Sequence, residues 1–517
     1  MTKKVLSLFM AALFMLAALA SCTGAPKTAG KTAEKTAETH TASSEDKTEP
    51  ASSEGPVSTE ETEEPPVLDE DYKKWLANAQ AYANGLNTGS LIVERSHNLA
   101  WGTSYALNGL YRAYCATSDV NFLIRMADIL YGVYQLAKDN DGDGYLNWGS
   151  VYEDKKVDYA EYVCHAGTIV GCAADFLNLL EGKPELYDTV SSQYKKSFRE
   201  IADYILDITV NHIIPGYDKD WSDQYGVYMN RKGSVNYNKS TLDIALPNNQ
   251  YLTMAYGLLE LVKLDFDAEK KSDFYAKAVS MMKVFDSKVI RNSDGTLKWN
   301  YKDKLFDRDY QSSIEDYSHG MWDVRAAISA HSAGVAFSSE DLAAFAKTYD
   351  TKMYRSVDGL PMLTKAVDGS GASTGYVFLF IYDLSNFSQK IWERGKTYLE
   401  AKLSPTNRDS TRILAYHPSA PAPGKFSLTS PAAKDGKAKA DFAVFRWTNS
   451  VGASKYTLKI ASDSDMKNVV LERSDLFETS ALVTSELEAG KTYWWSVTAV
   501  NMAGDTRESK ISSFTAE

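Results

Sequence analysis

The densest run of side chains able to do chemistry is Glu315, Asp316, Tyr317, Ser318, His319 and Gly320, which follows shortly after Trp299, Asn300 and Tyr301. Carboxylates, an imidazole and a phenol gathered in so short a stretch can accept, hold and donate protons around neutral pH. Glu315 and Asp316 are consecutive, and neighbouring helix positions diverge by about 100°. They are therefore not expected to face each other across a scissile bond. Gly320, beside the imidazole, would leave room for a bulky ligand. Similar polar groups recur at Glu94, His97, Asn98 and Trp101, at Tyr162 and His165, at Asn248, Asn249, Gln250 and Tyr251, and at Ser373 and Tyr376. Any one of these alone reads as a helix cap, because Asn and Asp are preferred there. Three of the seven histidines (His97, His165 and His319) stand in these groups, however, which favours a shared polar site. Trp101, Trp221 and Trp299 add flat rings that could stack on the apolar face of a ligand.

Each polar group opens a segment that continues in small and apolar residues: 98–115, 165–180, 249–262, 319–335 and 374–384. Between them lie segments with one charged face: 72–86, 120–139, 196–214, 271–290, 338–353 and 386–402. A helix apolar nearly all round suits an inner position buried on both sides, and one with a wet face suits an outer position. The alternation predicts a mainly α fold, an (α/α) toroid of five to six helical hairpins spanning residues 67–405. Parallel inner helices would gather their N-termini at one mouth, where free backbone N–H groups favour anions. The inner starts are too unevenly spaced for a solenoid of equal repeats.

The two ends of the chain differ from this. Residues 406–420 read as a linker, and beyond them short segments alternate with period two, as in Tyr493, Trp495, Val497 and Ala499. With Phe445, Trp447, Tyr456, Leu458, Leu487, Gly490, Asn501 and Gly504, residues 421–517 resemble a fibronectin type III domain. That resemblance implies a small all-β sandwich, usually a spacer in secreted carbohydrate-active proteins. Residues 1–22 carry Lys3, Lys4 and an apolar run from Val5 to Leu19, the layout of a secretory signal. Its ending, Leu19, Ala20, Ser21 and Cys22, resembles a bacterial lipobox, which implies lipidation of Cys22. Residues 23–66 have no aromatic side chain and hold four Lys against ten Asp or Glu, so they predict a disordered acidic tether.

The 517-residue chain is 44% hydrophobic and carries a net charge of −12, without the basic footprint that nucleic acid requires. No phosphate-cradling loop, dinucleotide fingerprint, GxSxG elbow or HExxH pair occurs in a suitable setting, so nucleotide, serine-hydrolase and zincin chemistry are not expected. Cys115, Cys164 and Cys172 lack CxxC spacing and read as structural thiols. Asp139, Asp141 and Asp143 precede Gly144 like the start of a calcium loop, but position twelve is Ser150, where an EF-hand needs Glu. A tight Asp and Gly turn is expected over a calcium site, and no cofactor is required.

The Trp299-x-Tyr301 and Glu315-Asp316-x-Ser318-His319 pattern resembles toroidal carbohydrate-active enzymes, notably uronate-specific polysaccharide lyases. The likeness spans residues 90–330, with Pro247, Asn248, Asn249 and Gln250 as a second shared element, and it implies a glycan substrate. A lyase must neutralise the uronate carboxylate, remove the proton on C5 and protonate the leaving oxygen. On this reading Asn249 and His165 bind the carboxylate, His319 removes the proton and Tyr301 protonates the leaving oxygen, with Glu315 beside them. Asn98, Trp101, Gln250, Trp299, Asp316 and Trp221 would line the substrate path. The expected protein degrades an acidic polysaccharide by β-elimination outside the cell, held to the membrane by its lipid anchor alone. A glycoside hydrolase on the same scaffold needs two facing carboxylates, with Glu94 or Asp323 to complete the pair, and a glycan-binding lipoprotein would bind without turnover. Both are alternatives.

Overall fold

The computed structural model describes residues 67–94, 96, 98–152, 157–231, 243–306, 309, 311–374, 379–431 and 436–517. The expected signal, Cys22, the tether, His97 and Tyr376 lie outside them. Pro65–Glu517 fall in one compact unit.

Among the described residues eleven α-helices lie in the order α1 (Glu70–Gly85), α2 (Asn98–Thr117), α3 (Val120–Tyr134), α4 (Val163–Gly182), α5 (Phe198–Ile208), α6 (Asn248–Leu261), α7 (Ala268–Asp286), α8 (Tyr317–Ser332), α9 (Ser339–Lys347), α10 (Gln389–Lys402) and α11 (Ser410–Ala415), with a 3-10 helix at Leu379–Asn386 between α9 and α10. The protein is mainly α-helical. Local chemistry sets the helix starts: Asp69, Asp267 and Asp316 accept hydrogen bonds from the first turns of α1, α7 and α8. Ser197 with Glu200, and Ser338 with Asp341, close capping boxes on α5 and α9. Helix α5 buries Phe198, Ile201, Ala202, Ile205 and Ile208, the single stripe of an outer helix. Helix α4 buries every residue except Glu181. It is long and apolar enough to cross a membrane, yet its apolar 18-residue stretch is wholly buried in protein.

The buried helices pack in succession, α2 on α4, α4 on α6, α6 on α8 and α8 on the 3-10 helix, while α11 packs on α1 and α2. Glycines set the closest of these approaches. A Cβ on Gly167 of α4 would lie 2.4 Å from the backbone nitrogen of Met254 in α6, so the two helix backbones touch. Near the other end Asn178 of α4 donates to the carbonyl of Glu260 of α6 at 2.8 Å. Early residues thus meet early and late meet late, so α4 and α6 run parallel and their first turns lie together.

The C-terminal region forms several small sheets: β1 (Leu428–Ser430), β2 (Gly436–Ala438), β3 (Ala443–Trp447), β4 (Lys455–Ala461), β5 (Val469–Leu476), β6 (Ser480–Val483), β7 (Thr492–Val500), β8 (Thr506–Glu508) and β9 (Ser512–Ala516). One sheet has the order β1-β3-β6 and another β2-β9-β7-β4-β5, with β8 pairing β7. Strand β7 buries Tyr493, Trp495, Val497 and Ala499 in strict alternation, and Phe445 of the first sheet meets Trp495 of the second edge-on at 5.0 Å.

Two expectations are corrected here. Residues 406–420 are not a free linker, because all six residues of α11 are buried and Arg412 holds Asn108 of α2 through two hydrogen bonds. The sheets are also not a spacer. The turn after β5 drives Glu478 between Arg325 of α8 (2.6 Å) and Arg112 of α2 (3.1 Å), all three buried. Phe477 and Leu482 join the core of the helical part. Arg473 donates to the carbonyl of Ser332 at the end of α8 at 2.9 Å, and His331 meets the carbonyl of Ser474 at 2.8 Å.

Candidate functional site

Helix α8 begins where the loop carrying Trp299 and Tyr301 turns back on it. The backbone N–H of Glu315 donates to the carbonyl of Trp299, and Asp316 caps α8 by accepting from the N–H groups of Ser318 and His319 and from the Ser318 hydroxyl. This leaves Asp316 Oδ2 2.8 Å from His319 Nδ1, with Glu315 Oε1 3.6 Å from the same nitrogen. The Tyr301 ring lies 5.2 Å from the imidazole. The same loop is tied to α6: Asn248 N donates to the Tyr301 carbonyl, its Nδ2 donates to the Asn300 carbonyl and to Asp303 at 2.9 Å each, and Tyr251 donates to its Oδ1.

A second group adjoins through aromatic contacts. Trp101 of α2 meets His165 of α4 edge-on at 5.3 Å and Trp322 of α8 at 5.7 Å, and Tyr105 stacks on Trp322. Ser150 Oγ lies 3.0 Å from His165 Nδ1. First turns of α2, α4 and α8, far apart in sequence, therefore converge.

Burial lowers the His319 imidazole, but Asp316 and Glu315 more than offset it and raise it to about 10. His319 is accordingly an imidazolium at neutral pH. Burial raises Asp316, and His319 more than reverses this, holding it well below the usual carboxylate range. Burial pushes Glu315 up against the pull of His319, and pushes Asp323, one turn on, well up with the help of Glu315's charge. Neighbouring carboxyls displaced in opposite directions mark a site in which protons have assigned places.

Exposure sorts the expected residues. Side chains of His319, Asp316, Tyr301, Gln250 and Trp101 are partly exposed, and Asn98 is exposed. His165 and Asn249 are each 3% exposed, the Asn249 Oδ1 without a hydrogen-bond partner. Four expectations are corrected. Glu315 is fully buried, so it can act only through His319 and not on a ligand. Trp299 is fully buried too, packed edge-on against Phe345 and donating to Asp323 Oδ2 at 2.7 Å, and is a core residue. A Cβ on Gly320 would lie 3.1 Å from Trp299 and 3.2 Å from Val367, so the missing side chain makes room for the protein's own packing. Trp221 packs on Tyr228, under Lys277, and donates to Asp223, a setting outside the His319 group. The sequence reading missed Trp322 and Tyr105, and had Asp323 only as a carboxylate that could complete a hydrolase pair. Asp323 and Trp322 lie one turn beyond His319, where helical spacing alone could have placed them on its neighbouring faces.

Two groups have possible ligand atoms within 4.8 Å of one another: Glu315, Asp316 and His319, and Asp139, Asp141 and Asp143. In each, a cationic side chain of the protein already stands among the carboxylates. In the first it is His319. In the second it is Lys219, whose Nζ lies 3.0 Å from Asp141 and 2.6 Å from Asp143, while Asp139 accepts from the N–H groups of Gly142 and Gly144.

No family model and no curated protein matches the sequence. Among solved structures, 19% of the chain aligns with 94% of an Fn3-like protein from Clostridium thermocellum at 17% identity and a TM-score of 0.15. An engineered protein aligns over 79% of this chain and 73% of its own at 13% identity and a TM-score of 0.16.

Proposed function

We propose that this chain is a lipid-anchored extracellular polysaccharide lyase, in which an (α/α) toroid closed at one end by a fibronectin type III module cleaves a uronate-containing glycan by β-elimination. The observation that carries the reading is His319, an accessible imidazolium held by Asp316 with an accessible phenol, Tyr301, at its side. Elimination needs a positive group for the uronate carboxylate and a group that moves a proton from C5 to the leaving oxygen. A protonated His319 suits the first task and not the base role that the sequence suggested for it. Tyr301, reacting as its phenolate, serves the second: its oxygen takes the C5 proton, the C5–H electron pair becomes the C4–C5 double bond, the C4–O bond breaks, and the same proton passes from Tyr301 to the departing oxygen, restoring the phenolate. Trp101 and Gln250 border the path, with the buried His165 and Asn249 supporting it.

The test is incubation with uronate and neutral polysaccharides while ultraviolet absorbance of the unsaturated product and new reducing ends are followed together. Both should rise on a uronate polymer, and Tyr301→Phe and His319→Ala should each reduce turnover by about 100-fold or more. Reducing ends without absorbance would make the protein a hydrolase, and binding without either would make it a glycan-binding protein.

A further inference from the structure

Behind His319 two carboxyl groups are buried together, each with one oxygen satisfied and one not. Glu315 Oε1 accepts from the N–H of Asp316 at 2.8 Å, and Asp323 Oδ2 accepts from Trp299 Nε1 at 2.7 Å. Glu315 Oε2 and Asp323 Oδ1 are buried without any donor, although both side chains meet at Trp299, whose ring lies with Glu315 Cγ beside Gly320 while its Nε1 reaches Asp323. Two bare carboxylates in that position would repel strongly, and buried polar atoms left unpaired are rare and costly. One proton held between them removes both penalties, since a protonated carboxyl is a donor and its neighbour an acceptor.

We infer that Asp323 is a positioning residue that shares one proton with Glu315, and that this proton keeps the Glu315 carboxylate against His319 Nδ1. The remaining groups facing the pair leave the proton there. Trp299 Nε1 is already committed to Asp323, the Tyr251 hydroxyl to Asn248, and Asp316 to the cap of α8 and to His319. The Tyr349 hydroxyl is buried without a partner, and it too feels the charge of Asp323, Glu315 and Asp316. Burial and the mutual charge of the two carboxyls favour the protonated form. The shared proton fixes the negative charge on Glu315 beside the imidazole, so His319 stays cationic while its outer nitrogen remains available. Only the consequence for turnover rests on the elimination proposed above.

The test reads the proton without substrate. An infrared difference spectrum of the protein against Asp323→Asn at mildly alkaline pH should show a protonated carboxyl band in the parent that the variant loses. Asp175, the buried carboxyl that burial pushes up to about 7 against Arg325, is ionised there and cancels between the two. In Asp323→Asn the amide still donates to Glu315, so the His319 titration followed by NMR should hardly move. In Asp323→Leu, with no donor, it should fall by about one pH unit, a tenfold change in proton affinity. Absence of the carboxyl band in the parent, or equal His319 titration in the two variants, overturns the inference. If the leucine variant does not fold, the infrared comparison decides alone. A band present without turnover on any uronate polymer would refute the elimination and leave the shared proton standing.

Discussion

Replacing Glu478 by Ala removes the carboxylate that joins Arg112 of α2 to Arg325 of α8 from within the C-terminal region. Breaking a buried ion pair from one side costs about 3–5 kcal/mol, because the partner's charge stays buried. The lower end applies here, since Arg112 keeps Asp383 at 2.8 Å and Arg325 keeps Asp175 at 3.1 Å. The titration of Glu478 gives a similar figure. Burial raises its carboxyl, but Arg325 and Arg112 more than offset this and bring it from 4.5 to about 2, a displacement worth about 3 kcal/mol. For a folded chain of this size that corresponds to a loss of about 3–4 °C in thermal midpoint. Because the folded-state value lies below the unfolded one, the contribution is complete above the unfolded value and fades as the pH falls toward about 2. Scanning calorimetry should therefore find the variant less stable at neutral pH and the gap narrowing in acid. It should also find the sheets and helices melting in one transition. An unchanged midpoint at neutral pH, a gap that does not narrow in acid, or separate melting of the two parts would refute this reasoning.

Gly167→Ala should destabilise the fold by about 1–3 kcal/mol or more in chemical denaturation, since the new methyl meets the backbone of Met254 rather than a side chain that can turn aside. The thermal midpoint should be the same with added calcium and with chelator, because Lys219 already occupies the space among Asp139, Asp141 and Asp143. A calcium-dependent rise would show that the ion displaces the lysine.

Much of the helical part was legible because its signals are local. Period and capping placed α2, α4, α6 and α8 within two residues of the expected starts, and Asp316 before the apolar run marked the first turn of α8. Helix α11 was missed because six residues, with Arg412 among them, form too short a stripe to stand out. The grouping of Tyr301 with His319 was legible as proximity of two motifs. Burial of Trp299 and Glu315 was not, because in sequence a core tryptophan and a stacking tryptophan look alike.

The chain's own order determined where helices begin, which faces are wet, and where the strands of β7 turn inward, since these depend on residues a few positions apart. Only the tertiary structure decided which polar groups reach the surface, that His319 carries a charge, and that the C-terminal sheets lock the helices together. Those properties depend on partners such as Arg112 and Glu478, 366 residues apart, and on a burial that exists only once the whole core has formed.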